Sequence, residues 1–211
     1  MADPYSATRS YRGVSAADRT AARRAALVDA AIRLFGTQGY VATGVKDICR
    51  EAGVTDRYFY ESFRDRGALY TAAFEQIVTE LLNVVGSAAL AEAGAPDRQA
   101  RAAVGSFIDH LTTEPAKAKV LFLEAGAVGG EVGREVRASA RRFAELLAGA
   151  ARPHLAPGTT DLRLTMAALS LVGAIGVVIL EWLDGALEAT VEDITDYFVD
   201  MLHAAGQAGS P

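Results

Sequence analysis

Side chains that can bond the edges of base pairs are concentrated in residues 45–63, which read VKDICREAGVTDRYFYESF. If Phe59 and Phe63, four residues apart, lie on the inner face of one short helix, then Arg57 and Tyr58 lie on its outer face. A guanidinium can bond the O6 and N7 atoms of guanine together, and a tyrosine can contact a thymine methyl group or a phosphate. The chemistry predicted for this segment is therefore recognition of the DNA major groove, with Arg57 as the candidate for direct base readout.

Further polar residues lie where helices are expected to begin. Helix N-termini suit phosphate groups because of their free N–H groups and their dipole. Thr43 and Lys46 lie at one such start, and Arg66 lies at another. The hydroxyl of Thr43 is also expected to cap the helix that begins there. The predicted DNA-contacting residues are Thr43, Lys46, Thr55, Arg57, Tyr58, Tyr60 and Arg66.

Two short helices joined by a tight turn would position these side chains. The first helix would place Ile48 and Cys49 inward and end at Gly53, and the second would begin at Thr55. A helix-turn-helix unit needs a small residue where its helices cross and a glycine at its turn, and Cys49 and Gly53 occupy those places. Cys49 is accordingly expected to be a small core hydrophobe rather than a redox group.

The run from residue 23 to residue 70 resembles the N-terminal domain of TetR-family regulators. The segments that carry the resemblance are LFGTQGY, TGVKDI, AGVT, YFYESF and DRGALY. The resemblance implies a DNA-binding regulator that dimerises through its last two helices and is released from DNA by a small effector. Tyr60 matches a tyrosine that frequently contacts phosphate in the family, a contact that positions a protein on DNA without specifying sequence. Gly44 stands where the family commonly has a hydroxyl residue, and Ser62 stands where it commonly has histidine. Each change could remove one phosphate contact without altering the fold.

No strand alternation is sustained anywhere in the chain, so the sequence predicts an all-α fold of about nine helices. A three-helix, helix-turn-helix domain is predicted over residues 20–65, and an effector-binding and dimerisation domain over residues 66–206. Residues 1–19 are expected to form a flexible arm and residues 207–211 a tail. Arginines of such an arm can enter a minor groove, although disordered termini without a binding role are more common. After the first long helix of the second domain, helices are predicted at about 97–112, 115–128, 131–152, 160–184 and 190–206.

The net charge of −5 is distributed unevenly along the chain. Residues 1–66 contain 11 Lys and Arg against 8 Asp and Glu, and the remainder contains 10 against 18. A basic N-terminal part followed by an acidic part agrees with a DNA-binding domain joined to a domain that does not bind nucleic acid.

A single recognition helix reads few base pairs, so a homodimer on a palindromic operator of double-stranded DNA is expected. Residues 160–184 carry Gly173, Ala174 and Gly176 among Leu and Val, which would permit close approach between helices. An apolar stripe in residues 190–206 comprises Val191, Ile194, Phe198 and Met201. Both segments are predicted to form the dimer interface. The alternative is that both helices are buried within one monomer.

An unknown small-molecule effector is expected to bind a largely apolar pocket among the helices between residues 70 and 182. Glu124 could bind a cationic ligand or bond the start of the next helix. His110 lies near a predicted helix end, where it would complement the helix dipole. The candidate ligand-binding residues are Phe74, Phe107, His110, Phe122, Glu124 and Trp182.

The scattered histidines and the single cysteine form no catalytic or metal-binding constellation, so no enzyme activity, metal or cofactor is predicted. A lone cysteine also fits a reducing cytoplasm, where the protein is expected to act. Residues 164–180 carry no charge, but the stretch is short for a bilayer, and a buried or interfacial helix is favoured over a membrane span. The rival hypotheses are an all-α enzyme or ligand carrier, and a membrane-associated helical protein.

Overall fold

The computed structural model describes residues 15–128, 130–151 and 159–207. Every regular element in those ranges is helical, which confirms the predicted all-α class. If the unbroken stretch 115–128 is taken as one, the same ranges hold nine helical segments, the number predicted. Residues 1–14 of the predicted arm and residues 208–211 of the predicted tail lie outside the described residues.

The N-terminal part is built from α1 (Ala16–Gln38), α2 (Val45–Ala52), α3 (Asp56–Ser62) and the first turns of α4 (Arg66–Ala91). We call this part the head. Helix α1 begins at Ala16 rather than at the predicted Thr20. The cause is a capping box in which the side chains of Ser15 and Asp18 each accept the backbone N–H of the other residue. Residues 16–19 are therefore helical rather than part of an arm.

Aromatic side chains form much of the core of the head. Phe35, Tyr40 and Tyr70 make a cluster whose ring centroids lie 5.2–5.5 Å apart, and Phe59 of α3 is fully buried. Such rings remove large apolar areas from water and pack in preferred geometries. The core thereby holds α2 and α3 against α1, which also packs against α4.

The remaining helices, with the rest of α4, form the body. They are α5 (Pro96–Thr113), α6 (Pro115–Lys119), α7 (Ala125–Val128), α8 (Gly130–Ala151), α9 (Asp161–Leu183) and α10 (Val191–Gln207). A π-helical segment, Val120–Glu124, joins α6 to α7 without a break. Helix α4 belongs to both parts, because it packs against α1 in the head and against α5 and α8 in the body.

Helix α10 turns its apolar stripe into its own chain. Ile194 and Phe198 are buried, α10 packs against α5, and Arg101 of α5 pairs with Asp196 beside the stripe. The prediction that this stripe faces a second chain is therefore wrong. The apolar stripe of α10 is instead buried within one monomer, which was the alternative.

Helix α9 is apolar on both its inner and its outer faces. Its buried side chains include Leu164, Ala168, Leu171, Ile175 and Ile179. Its exposed large apolar side chains are Leu162, Met166, Leu169 and Val177. Within the described ranges, α9 alone is long and apolar enough to cross a membrane by length and composition, and 33% of its apolar stretch is buried in the chain. A contiguous exposed apolar face is also what a protein–protein interface requires.

Candidate DNA-binding surface and ligand cavity

The start of α2 differs from the prediction. Gly44, not Thr43, is the N-cap residue, and its N–H donates to Asp47 Oδ2 at 3.1 Å. That bond, followed by the contact between Arg50 and Asp47 Oδ1, holds the pKa of the Asp47 carboxyl below its ordinary value. Thr43 is 0% exposed, and its hydroxyl donates to the carbonyl oxygen of Gly39 at 2.7 Å. The predicted capping role of Thr43 is therefore wrong, and its side chain is not placed to contact phosphate.

The turn and the inner face of α3 agree with the sequence pattern. Gly53 has a φ of 66°, in the left-handed region that favours glycine. Phe59 and Phe63 are buried, as their spacing predicts. Cys49 is buried as well, and desolvation, with a smaller contribution from Asp56, raises the pKa of its thiol to about 11. A thiol in that state is unreactive at neutral pH, which fits its predicted role in the core.

The outer face of α3 presents polar side chains. Arg57 has a side chain that is 84% exposed, and its Nε lies 2.8 Å from Glu61 Oε1. Tyr60 is 62% exposed, with its ring edge against Phe59. Thr55, the N-cap residue of α3, and Lys46 on α2 are also exposed. These four predicted contact residues are accessible to a nucleic acid.

Two arginines of α1 lie over the aromatic residues of α3. The guanidinium of Arg23 is 4.1 Å from the centroid of Tyr58, and that of Arg24 is 4.4 Å from the centroid of Phe63. Tyr58 is consequently half-buried rather than freely outward. The sequence analysis missed Arg23 as a neighbour of the recognition helix, because no local pattern shows which face of α1 meets α3.

Arg66 has an internal role instead of the predicted surface role. It is half-buried, and its Nη1 donates to the carbonyl oxygens of Tyr40, at 3.1 Å, and of Thr43. Its guanidinium also lies over the ring of Tyr40, 4.8 Å from the centroid. Arg66 therefore braces the turn between α1 and α2 against α4, and it is withdrawn as a phosphate candidate.

A cavity of about 390 Å³ lies in the body between α4, α5, α8 and α9. Its lining consists of Val85, Gly86, Ala89, Gln99, Ala103, Val104, Phe107, Phe143, Glu145, Leu146, Leu147, Gly149, Val172 and Ile175. Of these described residues, Gln99 and Glu145 alone bring polar side chains to it. The rings of Phe107 and Phe143 meet edge to face at 5.5 Å on its wall. Its size and apolar character are typical of a small-molecule site.

Phe107 is the one predicted ligand residue that lines this cavity. Phe74 is buried in the core. Phe122 packs against Gly176 of α9, where an added Cβ would lie 2.7 Å from its ring. The indole N–H of Trp182 donates to the carbonyl oxygen of Ala189 at 2.7 Å and so ties α9 to the loop before α10. These three side chains contribute to packing between helices and do not line this cavity.

The two polar candidates also lie elsewhere. Glu124 Oε2 accepts the backbone N–H of Tyr40 at 2.7 Å, so it bonds the head instead of a ligand or the next helix. His110 lies in the last turn of α5, as predicted. Its Nε2 is buried without a hydrogen-bond partner in the described part of the chain and is 3.9 Å from Glu80 Oε2. Neither residue lines the cavity.

No group of three or more His, Cys, Asp or Glu side chains among the described residues could hold a metal ion. Most of the cavity residues that the sequence did not indicate are aliphatic or small, such as Ala103 and Val172, and the others are Gln99, Phe143 and Glu145. Nothing in their spacing distinguishes a cavity wall from an ordinary helix contact, because both are made by the same apolar stripes.

The family model described as bacterial regulatory proteins, tetR family, matches residues 27–73. The chain is 30% identical over 193 residues to the HTH-type transcriptional regulator BetI of Rhizobium meliloti (strain 1021). The aligned residues cover 90% of this chain and 94% of BetI. The match therefore includes the body as well as the head.

Solved structures share the fold at lower identity. The transcriptional regulator FadR of Bacillus subtilis, in complex with stearoyl-CoA, superposes with a TM-score of 0.75 at 16% identity, over 86% of this chain and 98% of FadR. AibR, in complex with isovaleryl coenzyme A and operator DNA, gives a TM-score of 0.67 at 22% identity, over 86% of this chain and 98% of AibR. At these identities the likeness shows the fold alone.

Proposed function

Because the chain belongs to the TetR family of bacterial transcriptional regulators, we propose that it is a cytoplasmic, dimeric repressor that leaves its operator when a small molecule enters the cavity. One observation carries the proposal: the chain combines an accessible recognition helix in the head with a cavity lined by hydrocarbon side chains in the body. The first suits DNA and the second suits an effector, and α4 runs through both parts.

Helix α3 would enter the major groove, as recognition helices do. Arg57 would read a guanine, because its exposed guanidinium can exchange Glu61 for the O6 and N7 atoms. Tyr60, Lys46 and Thr55 would bond phosphates and set the position of the head. Thr43 is excluded from this set by its burial.

A second copy of the chain would cover the exposed face of α9. Leu162, Met166, Leu169 and Val177 recur at helical spacing along that face, and Gly173 between them is exposed and would allow close approach. Tyr197 of α10 is 58% exposed and could extend the interface. A two-fold dimer would place the recognition helices about 34–36 Å apart, the spacing of successive major grooves.

The effector would be a hydrocarbon-rich molecule such as the acyl group of an acyl-coenzyme A. Among the described residues no cationic side chain lines the cavity, so an anionic group would find no partner among them. An acyl-coenzyme A avoids this problem if its acyl chain lies inside the cavity and its anionic coenzyme A portion stays outside. FadR and AibR, which share this fold, were solved with acyl-CoA ligands.

Ligand binding would shift the population toward a conformer whose heads no longer match the operator. Coupling between two such sites is typically about 1–3 kcal/mol, or about 5- to 150-fold in affinity. Release rather than tighter binding is the direction proposed here.

The test begins with selection of duplexes from a random-sequence DNA pool by the purified full-length protein. Fluorescence anisotropy at two salt concentrations should then show salt-dependent binding of two chains, or a multiple of two, to a palindromic duplex. Octanoyl-CoA and stearoyl-CoA should weaken that binding, and coenzyme A alone should not. Ligand binding without any selected duplex would favour the ligand-carrier hypothesis, and displacement by coenzyme A alone would refute the acyl assignment.

Gly86→Leu provides a variant of the effector site. Gly86 lines the cavity on α4, and an added Cβ there meets nothing within 4 Å, so the larger side chain can be accommodated. We expect it to retain operator binding and to lose the response to acyl-CoA. Ala91→Leu adds the same kind of bulk on α4 outside the cavity and should respond as the wild type does.

A further inference from the structure

The π-helical segment Val120–Glu124 contacts the head at both of its ends. The hydroxyl of Tyr70 on α4 donates to the carbonyl oxygen of Val120, and burial raises the pKa of Tyr70, so this donor stays protonated. At the other end Glu124 Oε2 accepts the N–H of Tyr40 at 2.7 Å. Tyr40 belongs to the turn that connects α1 to α2, so a body residue holds the backbone of the DNA-binding unit.

The same turn is fixed on its other side from within the head. Gly39 ends α1 with a φ of 86°, a conformation that favours glycine. The carbonyl oxygens of Tyr40 and Thr43 both accept from Arg66. Thr43 precedes Gly44, the N-cap of α2. A displacement of Tyr40 would therefore be passed directly to the start of α2.

The middle of the π segment packs against α9, the helix that contributes Val172 and Ile175 to the wall of the ligand cavity. Phe122 packs against Gly176 so closely that an added Cβ would lie 2.7 Å from its Cδ1 atom. Ile175, the preceding residue of α9, lines the cavity. Phe122 is thus next to the wall that a ligand would push, and Glu124 lies two residues further along the same segment.

A π-helical segment can change its register. Such segments are rare and are frequent at functional sites. When the extra residue of a π turn shifts along a helix, the side chains it passes rotate by about 100°, which is one residue's rotation at 3.6 residues per turn. A rotation of that size at residue 124 would remove the carboxylate from the N–H of Tyr40.

We infer that Glu124 is a positioning residue through which the body sets the orientation of the DNA-binding head. This inference rests on the proposed function and adds the element that connects the cavity to the head. With the Glu124–Tyr40 bond made, the head is held for DNA binding. With the bond broken, the head reorients on the body.

The test compares Glu124→Ala, which lacks the acceptor, with Glu124→Gln, whose amide oxygen can accept the same N–H. Ligand-free operator affinity should fall about 5- to 150-fold in the alanine variant and should be largely retained in the glutamine variant. Glu114→Ala is the matched control, because Glu114 pairs with Lys117 within the body and makes no hydrogen bond to the described residues of the head. Its affinity should equal that of the wild type.

A DNA-independent readout separates orientation from stability. Spin labels at two exposed positions, Ala22 of α1 and Ala138 of α8, report the distance between the head and the body. The labelled protein is diluted with unlabelled chain, and the native Cys49 should escape labelling because it is buried. The distance distribution should broaden or shift in Glu124→Ala at an unchanged melting temperature, and Glu124→Gln should restore it. An unchanged distribution together with wild-type operator affinity would overturn the inference. Failure of the wild-type protein to select any duplex would count against the proposed function, and the spin-label result would still decide the role of Glu124.

Discussion

The head and the body are packed with different kinds of side chain. The head packs the rings of Phe35, Tyr40, Phe59, Phe63 and Tyr70 among its aliphatic side chains, and its turn is braced by hydrogen bonds that Arg66 donates and Glu124 accepts. The buried side chains of the body are mainly Ala, Val, Leu and Ile, and its helices border a cavity of about 390 Å³. Interlocking rings leave little freedom, whereas short side chains between helices leave space.

The difference matches what each region is proposed to bind. Reading base edges requires that a side chain such as Arg57 stay within hydrogen-bond reach of fixed atoms, so the helix beneath it must be rigid. Admitting a ligand requires volume and the ability of helices to shift. A rigid head attached to an adjustable body allows a change in the body to move the head as one unit. Four predictions test or refine this comparison.

The largest effect is expected from Phe59→Ala. Removing a fully buried ring from the core of the head should cost about 3–5 kcal/mol of unfolding free energy, measured by thermal and denaturant unfolding. Tyr60→Ala, next to it but exposed, should change stability by less than about 0.5 kcal/mol while weakening operator binding. Equal losses of stability in the two variants would contradict the picture of a tightly packed head.

Met166→Asp tests the outer face of α9, where Met166 is 59% exposed. If a second chain covers this face, an unpaired carboxylate there should cost on the order of 3–5 kcal/mol of association free energy, and sedimentation should show monomers. Leu90→Asp is the control, because Leu90 is 74% exposed at the end of α4 and outside this face. Dimers that persist in Met166→Asp would place the interface elsewhere.

Arg57→Ala distinguishes base readout from phosphate contacts within the head. Binding to operators with single base-pair changes should show that discrimination at one symmetric pair of positions falls by about 1–3 kcal/mol. Lys46→Ala should instead weaken binding to all sequences alike and lower the salt dependence, as expected for a phosphate contact. Uniform weakening by Arg57→Ala would remove its proposed role in base readout.

The smallest effect concerns Asp47 at the start of α2. Its pKa is lowered from the ordinary value of 3.8 by the N–H of Gly44 and by Arg50. A lowered folded-state pKa contributes stability above the ordinary pKa, and that stability is lost as the pH falls through the folded value. Asp47→Asn should therefore lower the melting temperature slightly at pH 7 and leave it unchanged near pH 2. An equal fall in melting temperature at both pH values would mean that the charge of Asp47 does not contribute to stability.

The sequence alone determined the local structure of the head and the helical class of the whole chain. The glycine at the turn, the inward pair Phe59 and Phe63, and the breaks between helices are visible because helical periodicity and glycine conformation act over a few residues. The same pattern indicated an exposed Arg57. Family resemblance over residues 23–70 added the expectation of DNA binding.

Only the tertiary structure decided which predicted residues face a partner and which face the chain itself. Thr43, Arg66 and Glu124 are polar residues whose partners lie in distant segments or inside a turn, so their spacing could not reveal that they brace the head. The stripe of α10 and the outer face of α9 are both apolar, and composition does not tell which of them is covered by α5. A cavity forms where several helices fail to fill the space between them, and that depends on their relative placement rather than on the pattern of any one of them.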